Sequence, residues 1–336
     1  MNTNVLKLAV SAAAFAAVAA GSAGAETWQP DRPINIIVPW SAGGSTDQVT
    51  RVVAPILEEA LGTEVVVVNQ PGASGSIGTK AALDAPRDGY TWTANAIANN
   101  ATYAVSGLLD SSNIDDYRIY LHVANAPLIS VNANAPYEDF GALLDAMKTG
   151  DVTVSTAGVT SSGGTAYSTI KDALDGEMTA RMVAYDGGNP AVIAAASGEV
   201  DMTTQLAVEQ TEMIKAGRLR PLAVLSDTAL EIEGLDPIPP ITEWLDIDVA
   251  PDYFGVFIPA GAPQEVYDTV DAVWADKVMN ADALKHYANQ RGAMFAPSFG
   301  DEARARALPV ATMEACAMKE RGEAVKDPSE VGLTCK

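Results

Sequence analysis

The sequence predicts an α/β protein of two domains, and three observations carry that reading. Short apolar runs alternate with amphipathic stretches, the pattern of parallel sheets flanked by helices. Aliphatic and small residues are plentiful while aromatics make up 6% of the 336 residues, so cores of Val, Ile, Leu and Ala are expected. About 310 residues would remain once a leader is removed, more than one compact core usually holds.

The elements follow in order. Residues 1–25 read as a secretory signal, with Lys7 as the lone basic residue, an apolar run from Leu8 to Ala20 and an Ala23-Gly24-Ala25 cleavage site. That run is short for a membrane span, and no later segment has the length. Cleavage after Ala25 would release a periplasmic chain, and no Cys lies near the cut to carry a lipid. Ile34–Val38 reads as a buried strand, and Val49, Val52, Val53, Ile56 and Leu57 set a helix over Thr46–Leu61. Strands at Val65–Val68 and Tyr90–Ala94 follow, with helices at Ile77–Ala85 and Asn99–Leu108. Leu121 to Val131 holds two short strands broken at Ala126-Pro127.

A second set then begins. Strands are expected at Val152–Thr156, Met182–Ala184, Met202–Gln205 and Pro221–Leu225. Helices are expected at Thr165–Leu174, Pro190–Ser197 and Val208–Ala216. Asp236-Pro237-Ile238-Pro239-Pro240 marks a surface excursion. Strand Tyr253–Ile258 and helix Pro263–Met279 return to the first style. A tail helix over Asp301–Lys319 offers Leu308, Met313 and Ala317 for packing.

Composition excludes some partners. With 43 acids against 21 bases the formal charge is −22, which argues against nucleic acid or an anionic membrane surface. It leaves a small anionic ligand open, because backbone dipoles act at contact whereas charges beyond a Debye length of about 8–10 Å are screened. Cys316 and Cys335, an even pair in an exported chain, read as a disulfide. Catalytic equipment is thin. His122 and His286 have no metal-binding spacing, so no metal site is expected. No G-x-S-x-G elbow, Walker loop or dinucleotide fingerprint occurs, and Gly72, Gly75 and Gly78 are spaced three apart, so no cofactor is expected either.

Binding equipment is richer. Pro39-Trp40-Ser41-Ala42-Gly43-Gly44-Ser45-Thr46-Asp47 joins a strand to a helix, where bared N–H groups and the positive end of the helix dipole suit an anion. Gly72–Gly78 repeats the arrangement and offers the Ser74 and Ser76 hydroxyls. Thr156-Ala157-Gly158-Val159-Thr160-Ser161-Ser162-Gly163-Gly164-Thr165 is a third such loop, and Tyr185–Asn189 a fourth. Each alone is ordinary turn chemistry. Together they suggest two walls of a cleft.

The order strand, VPW-x-x-GGSTD, helix, strand, NQPGASGSIG, helix, PRDGYT, strand closely resembles the receptors of tripartite tricarboxylate transporters, the Bug-type extracytoplasmic solute receptors. The likeness continues through Tyr185–Pro190, Ser197–Asp201, Gly217–Val224 and Phe257–Pro263. It implies a two-lobed periplasmic-binding-protein-like fold, each lobe a mainly parallel sheet with flanking helices and the ligand cleft between them. Lobe 1 would comprise residues 26–125 and 252–300, lobe 2 residues 126–251, and a helical tail residues 301–336. The implied work is capture of a small organic acid (di-, tri- or aromatic carboxylate) by a monomer that delivers it to transporter membrane subunits.

By the same resemblance Ser41, Ala42, Gly43, Gly44, Ser45, Thr46 and Asp47 capture a carboxylate, with Trp40 walling the pocket. The opposing wall would be Ala157, Gly158, Ser161 and Ser162 with Tyr185 and Gly187; Ser74, Asn95 and Asn99 are further polar candidates. Asp186 replaces a common Lys, and is expected either to cap the helix opening at Pro190 or to accept from a ligand hydroxyl or amine. Two other classes stay open: an exported hydrolase using a loop serine, and a ligand-presenting sensor component without transport.

Overall fold

β-branched runs build the first sheet, and small-residue loops turn each strand into its helix. The computed structural model describes residues 27–335, so the expected leader lies outside the described residues. In chain order come β1 (Ile34–Val38), α1 (Ser45–Leu61), β2 (Val65–Asn69), α2 (Ser76–Asp84), β3 (Thr91–Ala96), α3 (Ile97–Thr102) and β4 (Tyr117–Asn125). The chain then crosses to β5 (Leu128–Asn132), α4 (Phe140–Thr149), β6 (Thr153–Thr156), α5 (Ser162–Ala173), β7 (Arg181–Ala184), α6 (Gly188–Ser197), β8 (Met202–Thr203), α7 (Ala207–Lys215) and β9 (Leu219–Val224). It returns through β10 (Asp252–Pro259), α8 (Gln264–Val273), α9 (Asp282–Arg291), β11 (Met294–Phe299) and α10 (Gly300–Glu320).

Two sheets result, one per lobe. The first runs β11-β4-β10-β3-β1-β2 and the second β7-β6-β8-β5-β9. Both are mixed, which corrects the expectation of mainly parallel sheets. Parallel pairing is confined to β2–β1–β3 and β7–β6–β8. Every pair made by β10, β4, β11, β5 or β9 outside those sets is antiparallel, because the strands that carry the chain across and back run against their neighbours.

Packing follows the apolar periods. Val49, Val53 and Leu57 of α1 bury fully against Ile34, Ile36 and Val38 of β1. In lobe 2, α4 sets Phe140, Leu143, Leu144 and Met147 on one face against the sheet. Asp139 caps that helix, its carboxylate accepting the Ala142 N–H at 2.8 Å. The tail helix α10 uses a different stripe from the expected one. Ala303, Ala307, Ala311 and Ala315 let it lie close on α3, while Leu308 is exposed and Met313 and Ala317 are half-buried. Cys316 and Cys335 are bonded, with Cα atoms 5.6 Å apart. The helix expected over Asn99–Leu108 ends at Thr102, after which the chain turns through Gly107 at φ 74°.

This topology positions the site. The carboxyl ends of β1, β2 and β3 face those of β6, β7 and β8, the place where open α/β sheets bind ligands.

Candidate functional site

The loop after β1 is held by one side chain. Asp47, in the first turn of α1, accepts the Gly43 N–H at 2.9 Å, the Asn69 amide at 2.9 Å and Arg51 Nε at 2.9 Å. Burial pushes its carboxyl up, but the bonds from Arg51, Gly43 and Asn69 outweigh burial and the net shift is downward. Gly43 takes φ 83°, a conformation open to glycine at little cost. Trp40 closes the floor and donates to Asn95 Oδ1 at 3.0 Å, and Asn95 in turn donates to Asn100 Oδ1 at 3.0 Å.

The opposite wall opens at β6. Gly158 at φ 108° turns the chain, and a side chain there would run into Ser74 of the other lobe, its Cβ 2.3 Å from Ser74 Oγ. Ser161 caps α5, accepting the Gly164 N–H at 3.0 Å, and Ser162 donates to Asp252 Oδ2 at 2.6 Å. Asp252 opens β10 and also accepts the Ala98 N–H at 3.3 Å. Burial pushes its carboxyl up to about 6.

The lobes meet through direct bonds. The Ser41 N–H donates to the Asp186 carbonyl at 3.2 Å, Thr160 Oγ1 donates to the Ser74 carbonyl at 3.3 Å, and the Asn99 amide donates to the Thr160 carbonyl. Deepest of all, the Ser45 N–H donates to Glu209 Oε1 at 2.8 Å. Glu209 lies at the third position of α7, where its other oxygen accepts the Leu206 N–H at 3.3 Å and, with the Gln205 amide turned so that its nitrogen faces the carboxylate, that amide at 2.9 Å. Burial raises its pKa. Between the walls a cavity of about 20 Å³ remains. That is room for about one water, so this is a closed arrangement.

The predicted residues divide. Trp40, Gly44, Ser45, Thr46, Ser161 and Ser162 line this cavity, as do Ala157 and Asn99. Ser41, Gly187, Ser74 and Gly158 sit at lobe–lobe contacts beside it: a Cβ on Gly187 would fall 2.2 Å from Ser41 Oγ. Gly43 faces Asn189, Asp47 turns back into its own loop, and Asn95 lies beneath Trp40. Ala42 is exposed. Tyr185 points away, donating to Glu199 Oε1 at 2.9 Å. Asp186 is exposed and does not cap α6, whose N-cap is Gly187 without a side-chain bond, because the helix opens at Gly188, before Pro190. Sequence reasoning missed Gln205, Leu206, Glu209, Gly188 and Phe254, which complete the lining. Glu209 carried one signal, an acid at the third position of a helix, where its carboxylate can accept the N-cap N–H, here that of Leu206.

Two α/β lobes closing on helix N-termini define the periplasmic-binding-protein architecture, and the comparisons with solved structures agree. The structure of the periplasmic binding protein BugD superposes with a TM-score of 0.79 at 23% identity, covering 88% of this chain and 99% of that one. MatC from Rhodopseudomonas palustris, solved with bound malate, gives 0.75 at 20% identity over 87% and 98%. Among curated relatives, protein BugT of Bordetella pertussis is 34% identical over 231 residues, 66% of this chain and 70% of its own length. The profile described as tripartite tricarboxylate transporter family receptor matches residues 49–315. The chain belongs to that family.

Proposed function

We propose that this protein is an exported receptor that captures a small organic carboxylate between its lobes and hands it to the membrane subunits of a tripartite tricarboxylate-type transporter. One observation carries the site. The first turn of α1, whose Ser45 and Thr46 line the interlobe cavity, carries the Thr46 and Asp47 N–H groups, for which no acceptor is found among the described residues. Such groups and the helix dipole suit a carboxylate. Related architectures solved with malate and with adipate support the ligand class. Ligand would enter an open form and favour the closed one by contacts made only when both walls meet.

Receptor work is favoured over hydrolysis by the state of the serines. The Ser161 hydroxyl donates to the Gly158 carbonyl at 2.7 Å and Ser162 to Asp252, and neither histidine lines the cavity. An activated nucleophile needs an adjacent base: Ser161 faces only a carbonyl, and Ser162 has a carboxylate beside it but no histidine.

Thermal shift against a panel of organic acids tests the reading. At a hundredfold excess over Kd a ligand should stabilise by about 2.7 kcal/mol, with the acid recovered chemically unchanged. A panel of di-, tri- and aromatic carboxylates that moves the melting temperature nowhere would remove the proposal. Turnover of the acid would transfer the site to an enzyme.

A further inference from the structure

Glu209 stands where a ligand carboxylate would be expected. The N-terminus of α1 bares the Ser45, Thr46 and Asp47 N–H groups, Ser45 and Thr46 line the cleft, and Glu209 of the other lobe already holds the first N–H at 2.8 Å. The backbone makes room for it. A Cβ on Gly188 would lie 2.0 Å from Glu209 Oε1, so a side chain at 188 and the carboxylate in its place exclude each other. The Gln205 amide, itself tied to the Ala157 N–H at 2.6 Å, fixes the second oxygen.

The acid has no positive partner among the described residues. No Lys or Arg lies among the residues that shift Glu209 or that line the cavity. Asp252, bonded to the cavity-lining Ser162, is buried in the same way without a basic neighbour. Ser41 Oγ, at the mouth of the first loop, is buried with no hydrogen-bond partner among the described residues. A ligand carboxylate on the Thr46 and Asp47 N–H groups would therefore lie beside the Glu209 carboxylate. In a closed, water-poor cleft two adjacent anions repel strongly unless a positive group lies with them.

We propose that Glu209 is the specificity-determining residue of the cleft and selects acids that also carry an ammonium group. The ligand carboxylate takes the free N–H groups of α1, and its ammonium donates to Glu209. A second carboxylate in that position meets like charge and is rejected, so specificity has a repulsive as well as an attractive part. This inference rests on the receptor reading above.

Isothermal titration of the purified protein with four matched pairs tests it: L-alanine and propionate, L-aspartate and succinate, L-glutamate and glutarate, L-phenylalanine and 3-phenylpropionate. In the unmodified protein the amino member of the pairs that bind should be at least about tenfold tighter, a difference of about 1.4 kcal/mol. Glu209→Gln keeps an oxygen for the Ser45 N–H but loses the charge, and should bring the ratio within a pair close to one. Glu209→Asp keeps the charge and should keep the sign of the preference. Equal or tighter binding of the deaminated members to the unmodified protein would overturn the inference while leaving the receptor reading intact. An unchanged ratio in Glu209→Gln would take selectivity away from Glu209. Failure of every member of every pair to bind would overturn the inference, and joined to a thermal-shift panel in which tricarboxylates are silent as well it would remove the receptor reading from this cleft.

Discussion

Replacing Asp47 by Ala should loosen the first wall by an amount that separates two accounts of that residue. If its work were only to sit on the helix dipole, the loss would be about 0.3–1 kcal/mol. The structure gives it more to do, because its side chain, 5% exposed, ties the part-buried Gly43 N–H and the Asn69 amide to the first turn of α1. Losing those two acceptor positions should cost about 1–1.5 kcal/mol each. Arg51 adds little, since its half-exposed guanidinium can return to water. The sum is about 2–3 kcal/mol. With an unfolding entropy of about 2.1 cal/mol/K per residue over about 310 residues, the melting temperature should fall by about 3–5 °C. The pKa direction adds a second signature. Because the folded-state pKa is lowered, the contribution is complete above the ordinary carboxylate range and is lost as pH falls through the folded value. Calorimetry at pH 7 and pH 3 should therefore show a gap between the unmodified protein and Asp47→Ala that narrows in acid. A gap under about 1 °C at pH 7, or one of the same size at both pH values, would refute this reasoning.

The remaining expectations concern the tail and the core. The Cys316–Cys335 bond closes a loop of 19 residues, which should stabilise by about 3 kcal/mol in the chain-entropy model, so the double Ser variant should melt about 5 °C lower. Two titratable thiols in freshly isolated native protein would contradict it. His122 is buried on β4 with neither ring nitrogen bonded to any of the described residues, and burial pushes its pKa down to about 3. Its folded value lies below the unfolded one, so stability should fall as pH drops from about 6.5 toward 3, and His122→Phe should flatten that fall. An imidazole signal for His122 that titrates near 6.5 in the native protein would show that the ring is not held neutral.

Legibility in the sequence followed the range of the interaction. The unit β1, loop, α1 could be read because its determinants are local: an apolar run, a proline that stops it, glycines for the turn and a helical period after it. α4 lies outside the helices expected from the sequence, yet its determinants are equally local: Phe140, Leu143, Leu144 and Met147 fall at helical spacing behind Asp139. β11 was hidden by Pro297, which argues against a strand. It is tolerated because β11 is an edge strand whose register shifts between Phe295 and Ser298. The resemblance implies Tyr185 in the cleft wall, but one residue decides which way a side chain points from a strand end, and its hydroxyl reaches Glu199 instead. Glu209 was out of reach for a different reason. Its partner, Ser45, lies 164 residues away in the other lobe, and only the closed packing brings them together.

That pairing bears on how a receptor of charge −22 could hold an acid at all. Attraction from the whole molecule is unfavourable for an anion, so capture must come from groups at contact distance that cost no reorganisation. The loop after β1 meets that need, because Asp47 fixes its N–H groups before any ligand arrives. Closure is a separate matter. Backbone and side-chain bonds from Ser41, Ser45, Asn99 and Thr160 already join the lobes, so the closed state draws on protein–protein bonds as well as on ligand. A ligand shifts the open–closed balance only by its differential affinity for the two states. It therefore has to do more than replace Glu209 at the Ser45 N–H, since such an exchange would trade one carboxylate for another and leave Glu209 buried without its donor. A ligand that keeps Glu209 in place, and donates to it, adds its contacts to the existing latch.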